Sequence, residues 1–227
     1  LPKSFLGYER NTVSAVGGNR HGVIRASHFF LEKTGTPDGS LCLKDWFFVP
    51  EQSLAEATNG KIFRDDLGDF SDIRERLSYF PQDIRLKKLA GNLLLMGQAG
   101  QYNYNRCLER NETAAAQLSV VEFVKSTINV IFLLNKKYQP YYKWSFKALS
   151  ELDILSQLHY NLEYLISSGN SADEQEKKKE IIENICSEIF NELKVQGITR
   201  YSGSEAEGHA YAVNNEIKDN EIRNLNI

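Results

Sequence analysis

The stretch "LSVVEFVKSTINVIFLL", residues 118–134, decides the fold class of this chain. Wound as an α-helix, it is apolar nearly all round, and a helix of that kind is normally central in a bundle. Its longest apolar run, "INVIFLL" at 128–134, is far too short to span a bilayer, which takes about 20 residues. We therefore expect a core helix of a helical bundle and no membrane partner.

Helical patterns continue on both sides of this segment, from Pro50 to the end of the chain. The connections between them are short, which favours antiparallel neighbours. We predict a bundle of five to six main helices over residues 50–227. The predicted segments are a short helix from Glu51 to Asn59, then 71–80, a long helix from Pro81 to 110, 112–134, a short helix after 138–144, 151–167, 172–196 with a capping box of Ser171 and Glu174, and 204–224.

The first part of the chain has a different pattern. "TVSAV" at 12–16, "GGNRHG" at 17–22 and "VIRASHFFL" at 23–31 indicate strand, turn and strand, and 41–49 is a further extended candidate. "GGNRHG" also fits an anion-binding nest, although a hairpin turn is favoured. The predicted class is mainly α (α+β), with a β-containing domain at 1–49 and a helical bundle domain at 50–227.

Composition limits the classes of partner and compartment. The formal net charge is −3, which makes nucleic-acid binding unlikely. The three cysteines, Cys42, Cys107 and Cys186, are odd in number and far apart, so reduced thiols in a cytoplasmic protein are expected. The four histidines show no metal-ligand spacing, and we predict no metal site from them.

The segment "GQAGQYNYNRCLERN", residues 97–111, contains the main candidate site. On a helical wheel Gly97 and Gly100 fall on the apolar face. Each costs about 1 kcal/mol of helix propensity against Ala, so we predict that they admit a closely packed neighbouring helix. The opposite face is rich in amides and tyrosine instead of the Lys and Glu of an ordinary solvated face. Its candidate binding residues are Gln101, Tyr102, Asn103, Asn105 and Arg106.

Arg106 gives this face a group that binds a phosphate or a sugar through two parallel hydrogen bonds. A plain solvated face remains the alternative. A second candidate is Lys143 in "YQPYYKW", residues 138–144, as a cation for a phosphate or carboxylate. The favoured interpretation of that segment is a helix–helix corner in which Tyr and Trp pack and Lys143 points to water.

Two further motifs are weaker. "FRDDLGDF", residues 63–70, clusters three carboxylates that suit either Mg²⁺ or, as we favour, a helix start. "SGSEAEG", residues 202–208, matches a Gly-Ser pattern of nucleotidyltransferases, but no buried strand precedes it. We interpret it as structural, with Ser204 and Glu207 as a capping box.

Three longer segments together resemble a known family. They are "WFFVPEQSLAEATNGKIFRDDLGDFSDIRERLSYFPQDIRLKKLA" (46–90), "GQYNYNR" (100–106) and "FLLNKKYQPYYKW" (132–144). The family is an uncharacterised bacterial one, whose C-terminal half is known as a domain of unknown function, number four thousand and thirty-seven. The resemblance extends from near the first residue to Ile227.

Proteins of that family look like two-part nucleotidyltransferases. The resemblance implies a mixed sheet with Gly-Ser and paired acids that hold Mg²⁺ on a nucleoside triphosphate, followed by a helical half that closes the cleft. On this basis residues 1–31 would be the tail of that sheet, and the chain by itself would be inactive. Among Glu32, Asp65 and Asp66, the third carboxylate stays undecided.

The resemblance also implies that the polar face of 101–106 lines a cleft, with Lys143 near it, and binds nucleotide or acceptor. Our first hypothesis is therefore the helical, substrate-side portion of a nucleotidyltransferase with an unknown acceptor. The alternative is a non-catalytic helical module that binds a small ligand or another protein. A helical partner of the toxin–antitoxin type is a weaker third option.

Overall fold

The structure, a computed structural model, describes residues 4–5, 8–9 and 23–226. It is a bundle of helices, which confirms the mainly helical class. Its elements in chain order are β1 (Ser4–Phe5), β2 (Tyr8–Glu9), α1 (Ala26–Thr34), α2 (Asp45–Phe48), α3 (Glu51–Thr58), α4 (Asp69–Arg76), α5 (Gln82–Met96), a π-helical segment (Gly97–Asn103), α6 (Tyr104–Glu109), α7 (Thr113–Leu134), α8 (Tyr142–Ser150), a 3₁₀ turn (Ser156–Leu158), α9 (His159–Ser167), α10 (Ala172–Val195), α11 (Ala206–Asn215) and α12 (Asn220–Arg223).

Helix α7 is the centre of the bundle, as its composition predicts. It contacts α5, α6, α8, α9 and α10, and Val120, Phe123, Ile131 and Leu133 are fully buried. This helix is long and apolar enough to cross a membrane, yet most of it is buried inside the bundle. The central, buried position of α7 therefore explains its apolar composition.

The β-containing domain predicted for the N-terminal part is not supported. Strand pairing in the described residues is confined to β1 and β2, two residues each and antiparallel. The segment 23–31, predicted as a strand, leads into α1, and 41–49 contains α2. The predicted strand 12–16 and turn 17–22 lie outside the described residues.

The reason for the error at 23–31 is tertiary packing. Aromatic residues favour strands, but Phe30 and Thr34, one helical turn apart, are the buried side of α1. The Phe29 and Phe30 rings lie 6.2 and 4.9 Å from that of Phe70, so burial against α4 outweighs local propensity. Gly35 then ends the helix at φ 82°.

The predicted long helix from Pro81 to 110 is interrupted by the π-helical segment. At its end the Tyr104 amide donates to the Ala99 carbonyl, five residues back. The glycine prediction is confirmed here. A Cβ on Gly100 would lie 2.3 Å from Phe123 Cδ2, and one on Gly97 would lie 3.2 Å from Ala206 Cβ. These two glycines therefore admit α7 and α11 at close range.

Other helix boundaries are partly as predicted. Glu174 accepts from the Ser171 amide and hydroxyl at 2.9 and 2.7 Å, which confirms that capping box. In place of the helix predicted at 151–167, a 3₁₀ turn starts at Ser156, after Leu155 at φ 60°, and the α-helix begins only at His159. The helix predicted at 204–224 is two helices, α11 and α12. The boundary between domains at Pro50 stays a prediction.

The contact of Gly100 with Phe123 predicts a large cost for one added methyl group. Gly100→Ala should destabilise the protein by about 1–3 kcal/mol, the usual cost of overpacking a core. Gly91→Ala is the matched control, because a Cβ there would meet nothing within 4 Å. It should be neutral or stabilise by up to about 1 kcal/mol through helix propensity. The free energy of unfolding of both variants is measured by urea denaturation. Equal changes in the two variants would contradict the close packing of Gly100 on Phe123.

Candidate functional site

The candidate polar face borders a cleft of about 530 Å³ between the π-helical segment, α10 and the start of α11. Polar residues contribute to its wall from each of these elements. The lining residues are Gly97, Gln98, Gln101, Tyr102, Glu183, Ser204, Glu205 and Glu207. Two of the predicted site residues, Gln101 and Tyr102, are thus in the wall of one concave site. A cleft of this volume is in the range of small-molecule sites.

Gln101 connects the three elements that form the cleft. Its Nε2 donates to Glu183 Oε2 on α10 and to the Ser204 carbonyl, both at 2.9 Å. Its Oε1 accepts from the Ala206 amide at 2.9 Å, at the first residue of α11. The predicted capping box of Ser204 and Glu207 is therefore wrong. The side chain of Gln101 satisfies the start of that helix instead.

Tyr102 and Arg106 form a pair one helical turn apart. The Arg106 guanidinium lies 4.8 Å from the centroid of the Tyr102 ring and donates to its hydroxyl. Tyr102 is 55% exposed, and this contact holds its ring at the edge of the cleft. Arg106 thus acts on the site through Tyr102 and is not among the lining residues.

The remaining two residues of the predicted face differ in their surroundings. Asn103 is exposed. Asn105 is half-buried, and its Oδ1 is buried without a hydrogen-bond partner among the described residues. Neither lines the cleft, so the structure places them beside the candidate site and not in its wall.

The charge of the cleft is negative, because Glu183, Glu205 and Glu207 all line it. The Tyr201 hydroxyl donates to Glu205 at 2.9 Å, and this hydrogen bond lowers the pKa of the Glu205 carboxyl. That group is therefore a carboxylate at neutral pH. Sequence reasoning missed all three acids as site residues, since α10 and the 204–207 turn reach Gln101 only through the tertiary fold.

Lys143, the second predicted cation, lies at a different place in the bundle. Helix α8 packs on α7. The residues around α8 lie near the C-terminal end of α7, because Asn135, just after α7, donates from its side-chain amide to the carbonyl of Ile154, just after α8, at 2.9 Å. The π-helical segment instead packs on the N-terminal half of α7, at Phe123. Lys143 is exposed and lies 5.7 Å from the Tyr141 ring. The structure therefore does not bring Lys143 and Arg106 together.

The described residues do not fit the Mg²⁺ site that the resemblance implies. Glu32 pairs with His28 at 3.1 Å, and Asp66 pairs with Arg64 at 2.6 Å. Asp65 accepts from the Ser71 amide and hydroxyl at 2.7 Å, and these bonds lower its pKa. In the part of the chain described, no group of three or more His, Cys, Asp or Glu could hold a metal ion.

In the "SGSEAEG" motif at 202–208 the glycines serve packing, whereas Ser204, Glu205 and Glu207 line the cleft. A Cβ on Gly203 would lie 2.4 Å from the Tyr201 hydroxyl, and one on Gly208 would lie 2.3 Å from its ring. His209 follows, fully buried, with its ring 4.0 Å from that of Phe190. These glycines make room for Tyr201, the residue that binds Glu205.

Residues 46–145 match the family described as "Domain of unknown function (DUF4037)". The match includes all three segments that carry the resemblance and the π-helical segment, and it ends before α10 and α11. No curated protein matches the chain, and neither does any solved structure. The family match supports the uncharacterised family, and the link to nucleotidyltransferases stays a hypothesis.

The triple role of Gln101 predicts that its loss affects stability. Gln101→Ala should destabilise the protein by about 1–3 kcal/mol, because the Ala206 amide and the Ser204 carbonyl lose their partner. Gln98→Ala is the matched control, since Gln98 is exposed, lines the same cleft and has no side-chain hydrogen bond to a described residue. It should change stability by less than about 0.5 kcal/mol. Thermal unfolding measures the stability of both variants. If Gln98→Ala destabilises the protein as much as Gln101→Ala does, Gln101 does not have the structural role assigned to it.

Proposed function

We propose that this chain is the helical, substrate-side portion of a nucleotidyltransferase-like protein, and that the cleft beside Gln101 and Tyr102 binds the acceptor. In such a transfer an acceptor hydroxyl oxygen bonds to the α-phosphorus of a nucleoside triphosphate, the bond to pyrophosphate breaks, and the hydroxyl proton leaves to a base. The described residues contribute the binding of the acceptor. The resemblance supports the reaction class, and the cleft supports the binding role.

The main support for a binding role is the presence of three carboxylates in the wall of the cleft. Glu183, Glu205 and Glu207 repel a free triphosphate, and they accept hydrogen bonds from ammonium and hydroxyl groups. The exposed part of the Tyr102 ring, which the Arg106 guanidinium already contacts, adds an aromatic surface for a sugar ring. An amine-bearing, hydroxylated acceptor fits this wall better than the nucleotide does.

The proposal places the Mg²⁺-binding carboxylates outside the described residues, because Glu32, Asp65 and Asp66 are each bound elsewhere. The alternative of a non-catalytic helical module remains beside it, using the same cleft to hold a small ligand. The two proposals share the binding site and differ in whether a nucleotide is consumed.

Binding is tested with glucosamine, which has one ammonium and several hydroxyl groups. Its titration into the ¹⁵N-labelled protein should shift the amides of Gln98, Gln101 and Tyr102 and should saturate. Glu207→Gln should weaken this binding about three- to fivefold, the size of one exposed charge pair. Added salt should weaken it as well, since such attraction is screened.

Glu163→Gln on α9 is the control for this titration. Glu163 is also exposed, but it does not line the cleft. Its substitution should leave glucosamine binding unchanged. If ATP without metal shifts the cleft amides more strongly than glucosamine does, the assignment of the cleft to the acceptor is wrong.

The reaction itself is tested on the protein at its full natural length, with Mg²⁺, each nucleoside triphosphate and glucosamine. Pyrophosphate release that requires both substrates supports the transferase. Saturable glucosamine binding with neither pyrophosphate release from any triphosphate nor Mg²⁺-dependent binding of any triphosphate supports the non-catalytic module and overturns the transferase.

A further inference from the structure

A second site is indicated by the surroundings of Arg85, which is 3% exposed in the first turn of α5. Its Nε donates to the Leu133 carbonyl at the end of α7, and its Nη2 donates to Gln196 Oε1, both at 2.8 Å. The Tyr79 hydroxyl, which shares the Leu133 carbonyl, is its polar neighbour; burial lowers the pKa of Arg85, and contact with this hydroxyl opposes that change. No carboxylate among the described residues pairs with Arg85, and its two hydrogen bonds leave Nη1 without a closely aligned acceptor. A buried cation without an anionic partner carries a large desolvation cost.

Two other buried cations, Lys178 and Lys87, have all of their hydrogen-bond donors paired within the protein. Lys178 is fully buried, and its three ammonium donors reach Gln117, Ser168 and Asn170 at 2.9, 3.0 and 3.3 Å. Lys87 is 5% exposed and donates to Asn214, Arg223 and Leu225. Each lysine thus has an acceptor for every donor.

Arg85 differs from both lysines, because two of its five N–H groups have described acceptors. It also lines a cavity of about 820 Å³ where the start of α5 meets the C-terminal ends of α7 and α10. Lys136 and Lys218 lie on the same cavity wall, and both are exposed. The unused side of the guanidinium therefore faces a space large enough for a small molecule.

The carboxylates around this cavity are directed elsewhere. Asp83 accepts from the amides of Lys218 and Asp219 at 3.3 and 2.8 Å. Glu192 accepts from Gln196 Nε2 at 2.8 Å, and Glu216 is exposed. They leave Arg85 unpaired, and they disfavour a ligand with two negative charges on one group.

We infer that this cavity is a binding site for a small molecule with a carboxylate group, held by two parallel hydrogen bonds from the free side of the Arg85 guanidinium. The planar fork of a guanidinium matches a carboxylate in geometry and charge. The ligand completes the hydrogen bonding that the protein leaves open. The site is separate from the acidic cleft and independent of the proposed function.

The test is a titration of the ¹⁵N-labelled protein with acetate, with chloride replaced so that ionic strength stays constant. The Arg85 Nε–Hε resonance and the amides of Leu134 and Gln196 should shift and saturate together. Arg85→Gln should bind acetate about tenfold more weakly, the effect of one charged hydrogen-bonded pair. Arg110→Gln is the control, because Arg110 is exposed and does not line the cavity, and it should bind acetate as the natural protein does.

Several results would overturn the inference. One is a linear, unsaturated shift confined to exposed lysines such as Lys136 and Lys218. Another is equal acetate affinity in the natural protein and in Arg85→Gln. If Arg85→Gln does not fold, the resonances of the natural protein decide alone, because they report on the site directly. Inorganic phosphate should bind more weakly than acetate, and tighter binding of phosphate at Arg85 would overturn the choice of a carboxylate.

Discussion

The close approach of Gly100 to Phe123 is the contact on which the arrangement of the bundle depends. Hydrogen is the only side chain that fits there, since a Cβ would lie 2.3 Å from the Phe123 ring and 3.0 Å from Ile182 Cγ2. Because of this contact, the π-helical segment packs on α7 and α10 at once. Gly97 does the same for α11 at Ala206. Gly97 is also part of the wall of the cleft, where the π-helical segment, α10 and the start of α11 meet.

The π-helical geometry and the cleft are therefore linked. A π-helical turn is a local departure from regular α-helix and is frequent at functional sites. Here it directs Gln101 toward α10 and α11, where one amide group satisfies a carboxylate, a carbonyl and a helix start. Tyr102 remains at the open edge, held by Arg106. The rigid wall and the exposed ring come from neighbouring residues of one segment.

The two proposed sites differ in charge and lie at opposite ends of α5. The cleft at its C-terminal end has three carboxylates and a tyrosine, whereas the cavity at its N-terminal end has a buried guanidinium with free donors. Under the two proposals, a single bundle would bind ligands of opposite charge at separate places. Gln101 and Tyr102, predicted from the sequence as binding residues, line the cleft, and their binding role stays a prediction. In the sequence Arg85 is an ordinary charged residue in the first turn of a predicted helix, so the pattern does not predict that it is buried.

What the sequence predicted well is what depends on local pattern. The apolar run of 118–134 gave the core helix, Ser171 and Glu174 gave a cap, and Gly97 and Gly100 gave close helix contacts. What it missed depends on distant residues. Gln101 binds partners 82 and 103 positions away, and the strand predicted at 23–31 is helical because Phe30 packs on Phe70. No local pattern contains those contacts.

The most direct measurement is a double-mutant cycle between Gly100 and Phe123, read out by urea unfolding. In the natural background Gly100→Ala pushes a methyl group into the rigid ring, whereas Phe123→Leu removes Cε2 and leaves a flexible side chain whose Cδ atoms can turn away, with Ile182 Cγ2 still 3.0 Å from the added methyl group. We predict that Phe123→Leu removes most of the cost of Gly100→Ala, with a coupling energy of at least about 1 kcal/mol. If Gly100→Ala costs the same in both backgrounds, the contact on which this account depends does not exist.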